Sequence, residues 1–376
     1  MNSDRADQRR RSCSGSGRRA FLKTGLMVGA AGVLAKRTSG AVSRKKPVRG
    51  IGEDDPSNIK IGVNIDPRKT TDDDLLFLQQ IGVGWGRLQF GSEAVPFESV
   101  RDIHERCAGY GIRIYSAVHT SYQSPAIQFG FPERDRDIET YCRFIRHLGR
   151  LNIPVASYDF LPGNTFSTGT ARRRGYTTRE FDLDVFRAKV EKCQYGREYT
   201  AEEIWANYTY FIKAVLPVAI EAGVRLALHP DDPPVTRMNC VNRIFCNYEG
   251  FRRAEQIADS PYWGLLFCVG TWSEGGDRMG KSAIEMIRDF GGRGRIFEVH
   301  FRNVSSTLPR FVETFPDDGC VDMDQIMRAL REVRYHGGLG PDHIPGLAGD
   351  ENHRAGTAYC VSYIRALLRQ SNRDIG

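Results

Sequence analysis

The 376-residue sequence contains no Cys-x-x-Cys pair, no apolar run of about 20 residues and no basic excess beyond its first 50 positions. No membrane-spanning segment and no compact disulfide framework are therefore expected. Of the net charge of +7, residues 1–50 contribute +11 through 13 Lys+Arg and 2 Asp, which leaves −4 for residues 51–376. The part expected to fold thus gives no reason to predict a nucleic-acid partner.

The basic N-terminal segment is typical of a twin-arginine export signal. Gly17-Arg-Arg-Ala-Phe-Leu-Lys23 matches that pattern, a weakly hydrophobic run follows at 24–35, and Ser39-Gly-Ala41 has the small residues of a cleavage site. We therefore predict a signal peptide and linker over residues 1–50, recognition by the twin-arginine export machinery, and a periplasmic location. A disordered basic tail is the alternative.

The nine cysteines are spread along the chain, and eight remain after the predicted processing. Cys240 and Cys246 are the two that we expect to pair in an oxidising compartment. Cys107, Cys142 and Cys360 lie among apolar residues in helix-like segments, where buried free thiols are expected.

Short apolar runs alternate with amphipathic stretches from about residue 58, without a repeat of fixed length. The apolar runs predict strands at 59–63, 84–90, 113–119, 154–160, 225–229, 263–268, 296–302 and 339–343. The amphipathic stretches predict helices at 71–81, 97–110, 134–151, 201–222, 248–258, 282–290, 323–333 and 355–369. This alternation predicts an α/β protein with a single TIM (β/α)8 barrel over residues 51–376. A doubly wound sheet is the alternative, but no Gly-x-Gly-x-x-Gly follows the first strand.

One stretch interrupts the alternation after the fourth predicted strand. Residues 162–200 are rich in Gly, Arg, Thr and Tyr and show little periodicity. An insertion at the C-terminal end of a barrel strand lies on the catalytic face, so this segment either covers the site or forms a mobile surface loop.

Four potential metal ligands end the last four predicted strands, namely His229, Cys268, His300 and Asp342. The C-terminal ends of barrel strands converge on one opening, so two imidazoles, a thiolate and a carboxylate could share one first-row divalent ion there. Taken singly, each of them could instead be an ordinary core or rim residue.

Other polar residues accompany these positions. Asp231 follows His229, and His343 follows Asp342; both are candidates for proton transfer. Arg302 shares the strand parity of His300 and is expected to grip a carboxylate, with a salt bridge at the rim as the alternative.

Four further residues in the predicted strands are weaker candidates for the site. Glu298 has the parity of His300 one step deeper in the barrel, where it could orient a ligand. Arg87, His119 and Asp159 are either substrate contacts or members of salt bridges inside the barrel.

Several motifs make the chain similar to mannonate dehydratases, in that family's order, between about residues 113 and 370. They are His229-Pro-Asp-Asp-Pro-Pro234, Phe267-Cys-Val-Gly270, Gly292-Arg-Gly-Arg-Ile-Phe297, Val299-His-Phe-Arg302, Phe311-Val-Glu-Thr-Phe-Pro-Asp-Asp-Gly319 and Pro341-Asp-His343. The resemblance implies a xylose-isomerase-like barrel and the dehydration of D-mannonate to 2-keto-3-deoxy-D-gluconate in hexuronate catabolism. It also implies a divalent ion, typically manganese, held by His229, Cys268, His300 and Asp342.

The sequence departs from the family pattern at two places. Asp159-Phe-Leu-Pro162 stands where relatives have Asn-Phe-Met-Pro followed by acidic and basic substrate contacts. Asn352 falls near the position of a tyrosine that is thought to assist catalysis in the family.

We therefore predict a metal-dependent hydro-lyase that removes water from a sugar acid. In this hypothesis Arg302 and the ion hold the substrate, Asp231 and His343 transfer protons, and Asp342 tunes these transfers while bound to the ion. A metal-dependent sugar or polyol isomerase or epimerase is the first alternative, and an exported sugar-binding protein without turnover is the second. A thiolate ligand favours Zn2+ or Fe2+ whereas the resemblance favours Mn2+, and the sequence leaves a homo-oligomer open.

Overall fold

The computed structural model describes residue 52, residues 55–163 and residues 166–375. The predicted signal segment over residues 1–50 lies outside these residues, so export and periplasmic location stay predictions. Among the described helices, none is both long enough and apolar enough to cross a bilayer.

The described residues form fourteen strands, eight of which close into a barrel. The strands are β1 (Lys60–Ile65), β2 (Trp85–Phe90), β3 (Arg113–His119), β4 (Val155–Tyr158), β5 (Gly169–Arg173), β6 (Tyr176–Asp182), β7 (Arg225–Leu228), β8 (Arg237–Met238), β9 (Val241–Asn242), β10 (Trp263–Cys268), β11 (Ile296–His300), β12 (Asn303–Val304), β13 (Arg310–Thr314) and β14 (Gly338–Gly340). The barrel order is β1-β14-β11-β10-β7-β4-β3-β2, with all pairs parallel. The predicted TIM barrel is confirmed, and the eight predicted strands are its eight strands.

Helices surround the barrel and fill most of the connections between its strands. They are α1 (Asp72–Gln80), α2 (Phe97–Gly109), α3 (Pro125–Phe129), α4 (Arg134–Arg150), α5 (Leu183–Val185), α6 (Ala201–Glu221), α7 (Tyr248–Ala258), α8 (Val269–Gly275), α9 (Ala283–Met286), α10 (Met323–Glu332) and α11 (Arg354–Ile375). The predicted helix at 282–290 is split, because α9 continues into a wider π-type turn over Ile287–Gly291.

The strands that carry the candidate ligands are buried on both faces. All six residues of β10 and all five of β11 are buried, as expected for parallel strands covered by helices outside and side chains inside. In β2, by contrast, fully buried and half-buried residues alternate. Cys268 and His300 therefore stand on fully buried strands, whereas His229 and Asp342, which follow β7 and β14, are partly buried.

The insertion after β4 is a folded part of the rim, although its sequence shows little periodicity. Its strands β5 and β6 form an antiparallel hairpin, and β6 pairs with β13 to make a four-stranded sheet ordered β12-β13-β6-β5. Thr177 and Gly346 also exchange backbone hydrogen bonds of 2.9 and 2.8 Å. The β5–β6 part of the insertion is therefore an ordered hairpin and not the mobile surface loop given above as one of two possibilities.

The cysteine pairing differs from the expected one. Cys240 bonds to Cys193, at the end of the insertion, with their Cα atoms 5.0 Å apart. Cys246 is a buried free thiol, as are Cys107 and Cys142. The expected Cys240–Cys246 pair was wrong because chain proximity favoured it, whereas the fold brings residue 193 beside residue 240.

Candidate metal centre

The barrel order places the four predicted ligands on neighbouring strands. Cys268 and His300 are the last residues of β10 and β11 and face each other in register, with His300 opposite Gly340 of β14. His229 follows the end of β7 by one residue, and Asp342 follows the end of β14 by two. All four therefore lie at the C-terminal rim, where TIM barrels carry their active sites.

Three of the predicted ligands form a cluster of metal-binding size. One donor atom from each of His229, Cys268 and His300 lies within 4.8 Å of the other two. Donor atoms bound to one zinc ion at about 2.0–2.3 Å can be up to about twice that distance apart, so this spacing is near what one ion requires.

The ring nitrogens in the cluster are available to a metal. Both nitrogens of His300 are buried and form no hydrogen bond among the described residues. Nδ1 of His229 lies 2.7 Å from the carbonyl oxygen of Pro230. A carbonyl only accepts, so Nδ1 donates and Nε2 keeps its lone pair, the tautomer that a metal-binding histidine needs.

Cys268 combines a buried sulfur with several donors. Its Sγ accepts hydrogen bonds from the backbone N–H of Thr271 at 3.4 Å and from the Thr271 hydroxyl at 3.2 Å, and Arg302 Nη2 lies 3.6 Å away. Burial raises the pKa of the thiol to about 11, and Arg302 opposes that shift. A thiolate at neutral pH therefore needs a further positive charge close to the sulfur.

Asp342 lies beside the cluster and is held as an anion. Its Oδ1 is 3.3 Å from Nδ1 of His300 and 3.8 Å from Nε2 of His343. Burial alone would raise its pKa, but His300, His343 and Arg302 outweigh burial and hold the pKa well below the usual range. Its φ of 63° is a left-handed conformation that is costly for a non-glycine residue and is often found at functional sites.

Arg302 does not have the open position that the sequence suggested. Its side chain is 0% exposed, and its guanidinium is surrounded by four carboxylates. They are Asp232 at 2.9 Å, Glu274 at 2.7 Å, Glu313 at 3.3 Å and Asp342 at 3.2 Å. The expectation of a direct grip on substrate is at odds with this geometry. The alternative of a salt bridge at the rim is closer, although the side chain is fully buried and has four partners rather than one.

His343 lies between the cluster and the insertion. Its Nδ1 is 2.9 Å from Oε1 of Glu313, and Nη1 of Arg179, on β6, is 3.2 Å from its Nε2. The imidazole is 30% exposed, so it can reach a molecule bound at the rim. Of the two predicted proton carriers, His343 has the more accessible side chain.

Asp231, the other predicted proton carrier, is 1% exposed. Its Oδ2 accepts a hydrogen bond of 2.8 Å from the backbone N–H of Phe245, and Arg243 lies 3.8 Å from its Oδ1. Burial raises its pKa to about 6. These contacts indicate that Asp231 stabilises the loop that follows β7. Its predicted role in catalysis stays a prediction.

The remaining strand residues take part in interactions inside the barrel. Arg87 lies 3.4 Å from Glu298 and hydrogen-bonds Ser157, while Ser116 donates to Glu298 at 2.7 Å. This pair is the internal salt bridge that the sequence left open.

The two other early-strand candidates are also held by neighbouring residues. His119 is fully buried and contacts the carbonyl oxygen of Glu93 at 2.7 Å. Asp159 accepts hydrogen bonds from Tyr122 and Gln123. These contacts give no support for a substrate-binding role of either residue.

Three residues of the site were not singled out by sequence reasoning. Glu313 lies in a motif that was recognised without a role for its carboxylate, and Glu274 was hidden in a helix whose sequence suggests no site. Arg179 lies in the arginine-rich insertion and could be chosen only once the pairing of β6 with β13 was known.

A cavity of about 560 Å3 opens beside Asp342 between the first and last barrel strands. It is lined partly by Asn64, Lys69 and Asn352, so the position expected from the family's tyrosine borders this space. The cavity offers polar groups to a hydroxylated substrate next to the candidate metal centre.

Comparisons with known proteins identify the family. The sequence model of the D-mannonate dehydratase (UxuA) family matches residues 175–369. The mannonate dehydratase of Thermotoga maritima is 30% identical over 286 residues, which are 67% of this chain and 78% of that protein. The crystal structure of mannonate dehydratase from Streptococcus suis serotype 2 superposes with a TM-score of 0.75 at 27% identity and covers 85% of this chain and 96% of that one.

A more distant neighbour supports the fold alone. A xylose isomerase domain protein from Planctomyces limnophilus has a TM-score of 0.58 at 11% identity and covers 83% of this chain and 98% of that one. The predicted xylose-isomerase-like architecture is therefore confirmed. The matched region, the relative of 30% identity and the shared barrel together show that the chain belongs to the mannonate dehydratase family and is a hydro-lyase.

Proposed function

We propose that the protein is a metal-dependent dehydratase that removes water from D-mannonate or a closely related aldonate. In this proposal His229, Cys268, His300 and Asp342 hold one divalent ion. The main support for the proposal is that both buried nitrogens of His300 lack hydrogen-bond partners among the described residues, and that one of them lies within 4.8 Å of donor atoms of His229 and Cys268. Leaving such nitrogens without a partner is costly unless a metal or solvent binds them.

The charge balance of the site supports a divalent cation. Four carboxylates surround the single guanidinium of Arg302, and the Cys268 sulfur lies 3.6 Å from it. Burial raises the pKa of Glu274 well above its usual value, and the nearby Asp232 adds to this shift. The remaining negative charge is what a cation bound by Cys268 and Asp342 would offset.

The donor set also limits the metal. Two imidazoles, a thiolate and a carboxylate suit Zn2+, Fe2+ or Mn2+ rather than Ca2+, which prefers oxygen ligands. A divalent ion bound here would act as a Lewis acid and stabilise the negative charge that develops when the C2 proton of the aldonate leaves.

The protein side chains then supply orientation and proton transfer. The rim cavity beside Asp342 receives the polyol, and Arg302 keeps Asp342 and Cys268 in position through contacts of 3.2 and 3.6 Å. Because Glu313 accepts from Nδ1 of His343, Nε2 keeps its lone pair, which faces Nη1 of Arg179 at 3.2 Å. Nε2 can accept or deliver a substrate proton once that contact is exchanged for one with the substrate. In this scheme His343 transfers a proton at C2 or at the departing C3 hydroxyl.

Product mass tests the proposal directly. Purified protein loaded with Mn2+ should convert D-mannonate into a product lighter by one water, detected by mass spectrometry as a 2-keto-3-deoxy acid. A product of unchanged mass would indicate the isomerase or epimerase alternative. Neither turnover nor exchange of the C2 proton in deuterated buffer, with any of a panel of hexonates, would contradict the proposal.

A further inference from the structure

Three arginines in and around the site already face acidic side chains. Arg302 has four carboxylates within 3.3 Å, Arg87 pairs with Glu298, and Arg243 approaches Asp231 with a side chain that is 0% exposed. A substrate carboxylate that approached any of these arginines would compete with a buried acid, at a large desolvation cost. A side chain that binds the carboxylate of a sugar acid, in addition to the proposed metal, is therefore to be sought among other cations near the site.

Arg179 is an exposed arginine at the site with a different environment. Its guanidinium lies 3.2 Å from Nε2 of His343 and 5.0 Å from the ring centroid of Phe166. It forms no ion pair with a carboxylate of the described part of the chain, although Glu313 on the neighbouring strand binds the same imidazole. Its present partners are aromatic rings, which hold a cation less strongly than a carboxylate does.

The hairpin that carries Arg179 is fastened to the rim at several points. Arg173 pairs with Asp318 at 2.9 Å, and Thr177 exchanges backbone hydrogen bonds with Gly346, three residues after His343. These contacts fix β6 beside the loop that follows the last barrel strand. Arg179 is therefore presented to the site by a folded element, so little ordering is needed when it binds a ligand.

We infer that Arg179 binds the carboxylate of the sugar-acid substrate, and that the buried Arg302 instead positions the metal-binding side chains. This inference rests on the proposed function, because it assigns a role toward the same aldonate. A guanidinium can bind a carboxylate through two parallel hydrogen bonds, which the contact with His343 does not provide. Selectivity for an acid over a neutral sugar then depends on the insertion.

The apparent Kd of D-mannonate for the Mn2+-loaded protein tests the inference; it is taken as the KM where the substrate is turned over and from titration calorimetry where it is not. We expect the Kd to rise by about 10- to 100-fold in Arg179→Met, the range of a charged hydrogen bond, and by less in Arg179→Lys, which keeps the charge. Arg187→Met is the matched control, because Arg187 is an exposed arginine of the same insertion. It should bind D-mannonate as the wild type does, and the Mn2+ affinity of all three variants should be unchanged.

Each other outcome has a defined meaning. A Kd within about twofold of the wild-type value in Arg179→Met, or an equal loss in Arg187→Met, would overturn the role of Arg179. A matching loss of Mn2+ affinity would overturn it too, because the side chain would then act through the metal centre. If the wild type binds D-mannonate without dehydrating it, the proposed function fails while the comparison of variants still decides the role of Arg179. If the wild type binds no hexonate, both fail.

Discussion

At the scale of single residues, burial separates roles that the sequence could not distinguish. His300 and Arg302 stand two positions apart and were both expected to act at the site. His300 is buried with two nitrogens that form no hydrogen bond among the described residues, whereas Arg302 is buried with four carboxylates around it. The first pattern indicates a ligand still to be bound, and the second indicates a completed internal ion network.

Replacing Arg302 tests whether it is the centre of a buried ion network. Arg302→Met leaves four buried carboxylates without their cation, so we expect the free energy of unfolding to fall by about 3–5 kcal/mol. Urea denaturation at pH 7 measures the loss. Arg302→Lys, which keeps the charge but has fewer donors, should lose less.

Arg310→Met provides the matched comparison, because Arg310 pairs with Glu180 while its side chain is 67% exposed. An exposed pair contributes at most about 1 kcal/mol, so this variant should be nearly as stable as the wild type. Equal losses in the Arg302 and Arg310 variants would contradict a special role for the buried network.

Sequence reasoning identified three residues of the structural cluster but not the acidic partners of Arg302, for a physical reason. His229, Cys268 and His300 could be found because each ends an apolar run, and strand ends in a barrel converge. Glu274 and Glu313 could not, because they reach Arg302 from a helix and from a strand outside the barrel. Such contacts depend on tertiary packing that period and spacing do not encode.

At the scale of elements, the barrel strands were predictable and the insertion was not. Buried parallel strands are continuous apolar runs, and their ends in the structure fall within a few residues of the predicted ones. The β5–β6 hairpin consists largely of polar residues, and β6 is stabilised by pairing with β13, about 130 residues later. Local pattern therefore identified the scaffold but missed the sheet that covers its rim.

The first and last helices are joined by an ion pair with a defined pH dependence. Asp74 accepts from the backbone of Thr71 in the capping box of α1, and Arg354, the first residue of α11, binds it at 2.7 Å. Arg354 and then Thr71 lower the pKa of Asp74 to about 2. Because the folded pKa is below the unfolded value, this stabilisation is present above about pH 4 and is lost as the pH falls through 2.

We expect Asp74→Asn to be up to about 1 kcal/mol less stable than the wild type at pH 7 in urea denaturation, because Asn keeps an acceptor for Thr71 but loses the charge paired with the partly exposed Arg354. The difference should shrink as the pH is lowered from 4 toward 2. Glu105→Gln, at a side chain that is 68% exposed in a 3.9 Å pair with Arg101, should show little difference at either pH. A deficit in Asp74→Asn that does not change with pH would show that the charge of Asp74 is not involved.

At the scale of the whole molecule, the fold brings together groups that are distant in sequence. The neighbouring strands β7, β10, β11 and β14 present their C-terminal ends side by side, and the insertion and β13 close the adjacent rim. The resulting site has more carboxylates than cations around it. That excess, together with membership of the mannonate dehydratase family, is the basis for proposing a bound divalent ion and an acidic sugar substrate.

The most direct test of this account is the Mn2+ affinity of Cys268→Ser compared with Cys246→Ser. Both cysteines are buried free thiols, but only Cys268 lies in the cluster with His229 and His300. Metal titration should show Mn2+ affinity reduced by more than about 10-fold in Cys268→Ser, because loss of a ligand costs at least as much as loss of a residue that supports one. Cys246→Ser should keep the wild-type affinity. Equal, wild-type-like Mn2+ affinity in the two variants would show that Cys268 is not a metal ligand and would contradict the proposed metal site.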